Sequence, residues 1–338
     1  MIKPSLLGHC EFEKAATVGT LAFDGFVLVA CVVTLVLLQR EKPRFWRHVL
    51  AMAVGVLIFE MFTGPMWLNE RLGKFAYVYT DVSWILTIGW TTMILGVVLL
   101  VDRWKPEWSA AKRYFLYLGA LLPLVVIAEI GVVNLGVRSY AAEVLDATSG
   151  VRILNVPLEV LYYVPVFSAL VITFYKYWGL VIEGTPLIPP KRRSWLFGIG
   201  LAFVAVFLFE LMIEPIAENR NFPAWSYLYR DISFLMSGLW VVVIAIGAVV
   251  VERYFRHKSI AVRFILAVGV MGLIALGVES WLINEGFRVY GPAATENFTG
   301  YTTPITGVAV EVAFAIPFYL ALMVCFIRYW EIVRQNRM

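Results

Sequence analysis

The chain has 338 residues, of which 61% are hydrophobic and only 15% charged, with a mean hydropathy of +0.79. A soluble domain sits at roughly 45–50% apolar and about 25% charged, so this composition specifies an all-α polytopic membrane protein. The net charge of +4 does not imply nucleic acid as a partner, and Cys10, Cys31 and Cys325 lie too far apart to suggest a disulfide framework or a thiolate metal site.

Apolar runs long enough to cross a hydrocarbon layer of about 30 Å predict nine transmembrane helices, near 17–39, 47–68, 79–101, 113–136, 154–178, 194–216, 229–251, 262–284 and 303–329. The first is too long for a signal peptide and lacks a small-residue cleavage site before the Arg40 cluster, so it reads as a retained helix. The connections alternate in charge. One set is basic, with Arg40, Lys42, Arg44 and Arg47, then Arg103, Lys105, Lys112 and Arg113, then Lys191 to Arg193, then Arg253 to Arg263, and finally the C-terminal tail. The positive-inside rule then gives an extracytoplasmic N-terminus and a cytoplasmic C-terminus, and the plasma (inner) membrane is the expected location.

Two stretches of the chain repeat each other. Glu60, Pro65, Asn69, Asp81, Ser83, Trp90, Glu129, Asn134, Gly136, Arg138 and Tyr140 recur 150 residues later as Glu210, Pro215, Asn219, Asp231, Ser233, Trp240, Glu279, Asn284, Gly286, Arg288 and Tyr290. After a two-residue slip, Glu159, Pro165, Phe174 and Trp178 return as Glu311, Pro317, Phe326 and Trp330. The repeat divides the chain into an N-terminal segment with an unpaired helix (1–45), a first four-helix unit (46–183), a Pro-rich cytoplasmic linker (184–190) and a second four-helix unit with the tail (191–338). Four helices is an even number. Both copies therefore run the same way through the membrane, and a pseudo-two-fold axis along the membrane normal is expected.

The topology gives each repeated acid a depth. Glu60 lies late in an outgoing helix, Asp81 begins the next helix, Glu129 lies late in its span and Glu159 falls about one turn into the following one. The second copy repeats this with Glu210, Asp231, Glu279 and Glu311, so all eight are expected in the outer half of the membrane. The opposite halves are almost free of polar side chains, which counts against a transport route. A carboxylate in lipid must be protonated, paired or ligating something, and Asn134, Arg138, Tyr140, Asn284, Arg288 and Tyr290 are available as binding or orienting partners. The eight acids are the candidate catalytic residues, since acids held at different pKa values can act as proton donor and acceptor. The same set could equally serve to hold helices together. Copy-specific acids also occur: Glu214 matches Gly64, and Glu285 matches Leu135.

The three histidines are not repeated, and no Walker A sequence, Gly-rich dinucleotide fingerprint or nucleophile elbow occurs. No cofactor is expected beyond a divalent cation that an all-oxygen carboxylate shell could hold.

Asn155-Val156-Pro157-Leu158-Glu159, with Tyr162 and Tyr163 following, resembles the Pro-x-Glu-Glu motif of the small membrane lycopene cyclase domains. Upstream, Glu129 with Gly136-Val137-Arg138-Ser139-Tyr140 is similar to the acidic residue and Gly-x-Trp-x-aromatic element of that family. Val160 stands where the family has its second Glu, and Arg138 where it has Trp. The resemblance implies a redox-neutral reaction in which carboxylic acids protonate an isoprenoid double bond and later remove a proton from the cation.

Three functions remain open at this level. The first is an acid/base enzyme acting on an isoprenoid or other lipid. The second is a non-catalytic subunit of a membrane complex that binds a lipid, pigment or cation. The third is a transporter or channel.

Overall fold

The structure, a computed structural model, describes residues 14–185, 195–296 and 298–336. Among these residues nine helices are long and apolar enough to cross a membrane, and the chain is an all-α polytopic membrane protein. It divides into two compact units. Unit 1 comprises residues 1–188 and 333–338, and unit 2 comprises residues 189–332. Most of the Pro-rich linker, residues 186–190, lies outside the described residues.

Unit 1 contains five of the long helices: α1 (Val18–Leu38), α2 (Phe45–Thr63), α3 (Trp84–Trp104), α4 (Ala110–Asn134) and, after the short α5 (Ala142–Asp146), α6 (Val160–Glu183). Helix α2 packs along α3 and α6, α4 packs on α3 and α6, and α1 lies along α3. The core they share includes Met52, Val56, Ile94, Leu95, Val98, Leu121 and Leu170, each almost wholly buried. Gly55 on α2 makes room for α6, because a Cβ there would stand 2.9 Å from the Phe174 ring.

Unit 2 contains α7 (Trp195–Ile213), α8 (Phe234–Tyr254), α9 (Ile260–Asn284), the short α10 (Pro292–Glu296) and α11 (Val310–Asn336). Helix α8 packs against α7 and α9. The stacked Phe209 and Tyr319 rings, with centroids 4.3 Å apart, join α7 to α11.

The connections that carry the acids lie at one end of each unit, its loop end, and are not simple turns. In unit 1 they form β1 (Trp67–Asn69), β2 (Tyr77–Tyr79), β3 (Val82–Ser83), β4 (Arg138–Tyr140), β5 (Arg152–Ile153) and β6 (Val156–Pro157). In unit 2 they form β7 (Ala217–Asn219), β8 (Tyr227–Tyr229), β9 (Ile232–Ser233) and β10 (Arg288–Tyr290). All pair as antiparallel two-stranded ladders.

These ladders correct four expected helix boundaries. Helix α3 begins at Trp84 rather than residue 79, because Tyr77 to Ser83 fold as a hairpin whose turn holds Thr80 at φ 40°. Helix α8 begins at Phe234 rather than residue 229 for the same reason, with Arg230 at φ 46°. Helix α6 begins at Val160 rather than residue 154. Leu154 and Asn155 both take positive φ there, as a two-residue hairpin turn requires. Helix α11 begins at Val310 rather than residue 303, after a bridge between Thr302 and Ala309. Asp81 and Asp231 therefore lie in hairpin turns and do not begin helices. Glu159 precedes the first turn of α6 and does not sit one turn inside it.

Candidate functional site at the loop end

Each site starts from the way a helix ends. Helix α4 is capped at its start by Ser109 and is closed at its far end by Gly136 at φ 70°, where the Val137 amide bonds back to the Val132 carbonyl at 2.9 Å. Gly286, at φ 72°, closes α9 in the same way through Phe287 and Leu282. A left-handed residue of this kind is the role glycine fills without a Cβ penalty. The chain then folds back over its own helix as β4 or β10. Side chains two apart on a strand share a face, so Arg138 and Tyr140 both reach Glu129, while Arg288 and Tyr290 both reach Glu279.

In unit 1 the result is a closed network. Glu129 is buried, at 3% exposure. Its Oε2 accepts from Arg138 Nη1 at 2.9 Å, and its Oε1 accepts from the Tyr140 hydroxyl at 2.7 Å. Arg138 Nε donates to Asn69 Oδ1 at 3.0 Å, and Asn69 Nδ2 donates to the Asp81 carbonyl at 2.9 Å. Strand pairing sets these distances, since Asn69 is the register partner of Arg138 and Trp67 that of Tyr140. The guanidinium lies 5.9 Å from the centre of the Trp67 ring. Burial, followed by the charge of Glu129, raises the Tyr140 hydroxyl well above the ordinary tyrosine range, so it serves as a donor.

Glu60 on α2 accepts from the Thr87 hydroxyl on α3 and lies within electrostatic reach of Arg138. Asp81 is buried with Oδ1 unpartnered. Burial raises its pKa from 3.8 to about 7, partly offset by Lys14.

A groove of about 770 Å³ opens beside this network. Its walls come from α1, α3 and α4, with Phe23, Val27, Trp90, Gly96, Leu124 and Gly131 among the lining residues, and Glu129 and Arg138 contribute its charged groups. Pockets of roughly 300–1,000 Å³ with apolar walls and a few polar groups are the usual form of a small-molecule site.

Unit 2 repeats the frame and changes the contacts. Glu279 accepts from the Tyr290 hydroxyl, but Arg288 Nε stands 3.6 Å from Glu279 Oε1 and its Nη1 donates to the Ala217 carbonyl at 3.2 Å. Ala217 occupies the place that Trp67 takes in unit 1, and Arg288 is buried at 4% exposure. Glu210 accepts from the Ser237 hydroxyl. Glu214, which has no acidic counterpart in unit 1, faces Asp231 and lies 3.5 Å from Arg230. Burial and the neighbouring Asp231 raise its pKa to about 7, while Asp231 is itself raised, chiefly by burial.

The remaining candidates bond to loop backbone or to other side chains. Glu159 Oε1 accepts from the Ser149 amide at 2.6 Å, and Glu311 Oε1 from the Thr299 amide at 2.7 Å, so both anchor the loop that precedes their helices. Asn134 donates to the Leu154 carbonyl at 3.0 Å and accepts from Asn155 at 2.8 Å, which fixes the β5–β6 turn. Asn284 is exposed at the end of α9.

Two features escaped the sequence reading. At the opposite end of unit 1, Asp102 binds Lys176, Arg113 at 3.1 Å and the Tyr117 hydroxyl. In unit 2 the matching positions, Glu252 and Arg328, pair at 3.1 Å. A repeat search by charge class instead of identity would have found both. The second feature is Asp24 on α1, buried at 3% exposure with both carboxyl oxygens unpartnered; being the one acid within the first apolar run was its only signal. Among the described residues no group of three or more His, Cys, Asp or Glu is placed to hold a metal ion. No protein-family model, curated protein or solved structure matches this chain.

Proposed function

We propose that unit 1 holds a long apolar molecule, an isoprenoid or other lipid, in the groove between α1, α3 and α4, with its polar end against Glu129 and Arg138. The observation that carries this reading is the union of an apolar trough with a single charged pair at its loop end. A lipid could enter such a trough sideways from the membrane without crossing a polar barrier. The charge alternation of the connections supports an extracytoplasmic loop end.

Gly131 offers a direct test, because a Cβ there meets nothing within 4 Å while the residue lines the groove. Gly131→Phe should fill the trough without disturbing the helix and abolish co-purification of lipid with the protein. Unchanged lipid content in that variant would refute the assignment.

A second reading is acid/base catalysis on the bound molecule. It is favoured by Trp90, whose indole lines the same groove as Glu129 and whose face could stabilise a carbocation there. Product formation from candidate isoprenoids in membranes, lost in both Glu60→Gln and Glu129→Gln, would establish it. Turnover untouched by either change would remove it.

A further inference from the structure

We infer that the head of the molecule held in this groove is uncharged and carries an oxygen acceptor, a hydroxyl or carbonyl, and that phosphate- and carboxylate-headed lipids are rejected. This inference rests on the groove reading above and adds the chemical class of the ligand.

Glu129 and Arg138 are the charged lining residues, and each cancels the other at 2.9 Å. Both carboxylate oxygens already accept bonds, from Arg138 and Tyr140. Arg138 spends Nε on Asn69 and one Nη1 hydrogen on Glu129. A guanidinium has about five N–H donors, so the remaining ones can face an acceptor in the groove.

Away from that pair the lining is apolar except for Cys31 and the hydroxyls of Thr34 and Thr92. Thr92 is satisfied by the Ile88 carbonyl at 2.9 Å, and its hydroxyl lies 3.1 Å from Cys31 Sγ. The site is thus rich in donors yet neutral overall. An anionic head would bring a charge that no group there compensates. Each such uncompensated charge in a hydrocarbon setting should weaken binding by about 50-fold or more.

The test uses the full chain in phosphatidylcholine nanodiscs and three probes that share one tail: geranylgeraniol, geranylgeranoic acid and geranylgeranyl diphosphate, with oleyl alcohol and oleate as a straight-chain pair. The alcohols should bind at least about 50-fold more tightly than their anionic counterparts, and Gly131→Phe should abolish that binding. Glu129→Gln leaves Arg138 uncompensated, so it should shift preference toward the acids by at least about tenfold. The double variant Glu129→Gln/Arg138→Gln is neutral again, so it should lose the shift toward the acids while binding the alcohols more weakly than the unaltered protein, because the Arg138 donors are gone. If alcohols and acids bind equally to the unaltered protein and both are lost in Gly131→Phe, the groove stands and the neutral-head inference falls. A preference unmoved by Glu129→Gln overturns it as well. If no probe binds, or Gly131→Phe changes nothing, the groove reading itself fails.

Discussion

Arg138→Gln should be among the most damaging single substitutions at the loop end of unit 1. Glu129 is 3% exposed, and removing the guanidinium leaves it with only the Tyr140 hydroxyl at 2.7 Å. Removing one partner of a buried pair costs about 3–5 kcal/mol, because the other charge remains buried and uncompensated. The lost bond from Nε to Asn69 falls within that range. Glu129→Gln strands Arg138 instead, and should cost about 2–4 kcal/mol, since that side chain is 10% exposed and keeps Asn69. The double variant to Gln has no stranded charge and should lose only about 1 kcal/mol. The interaction energy from the four proteins would then be at least about 4 kcal/mol in magnitude. Reversible unfolding in mixed micelles of non-ionic detergent and dodecyl sulfate supplies the four free energies. Arg103→Gln is the internal control. Its pair with Glu41 is short at 2.6 Å, but Arg103 is 71% exposed, so the change should stay within about 0.5 kcal/mol. Losses at Arg138 and Glu129 that merely add would refute the claim that these charges are buried as a mutually dependent pair.

Tyr140→Phe keeps the ring packing against Trp67 and deletes one bond to Glu129; in a membrane setting it should cost about 1 kcal/mol in the same unfolding assay. Asp81→Asn should change the pH dependence of stability. Folding raises the pKa of Asp81 from 3.8 to about 7, so its contribution is fully present below pH 3.8 and lost as pH rises through 7. The Asn variant should match the parent near pH 4 and exceed it at pH 8, and parallel pH profiles would contradict this. Gly136→Ala and Gly286→Ala, both at φ near 70°, should each cost about 1–2 kcal/mol, measured by unfolding midpoint.

Much of the architecture was legible because membrane helices advertise themselves as long apolar runs, and all nine are found among the described residues. The errors fall where apolar character and helicity part company. Tyr77, Val78, Tyr79 and Val82 extend an apolar run toward α3, yet their β-forming side chains and the Thr80-Asp81 turn make a hairpin. Leu154-Asn155 does the same ahead of α6.

The repeat drew attention to Glu129, Arg138, Tyr140 and Asn69, and the register of β1 with β4 brings those four into one network. It could not distinguish that network from Glu159 and Glu311, which repeat as faithfully and bind backbone amides in loops. Nor could it show that Ala217 in place of Trp67 alters how Arg288 is held, because that difference is one of side-chain geometry around unchanged residues. The Asp102–Lys176 pair was hidden for a simpler reason. Its second copy uses Glu252 and Arg328, so identity changed while charge did not.

Native mass spectrometry of the full chain, released from its own membranes, most directly tests whether the groove holds a lipid. A discrete adduct should survive purification, be extractable as a neutral-headed lipid and disappear in Gly131→Phe. A protein that carries no adduct, or one whose adduct persists with the groove filled, would contradict the account.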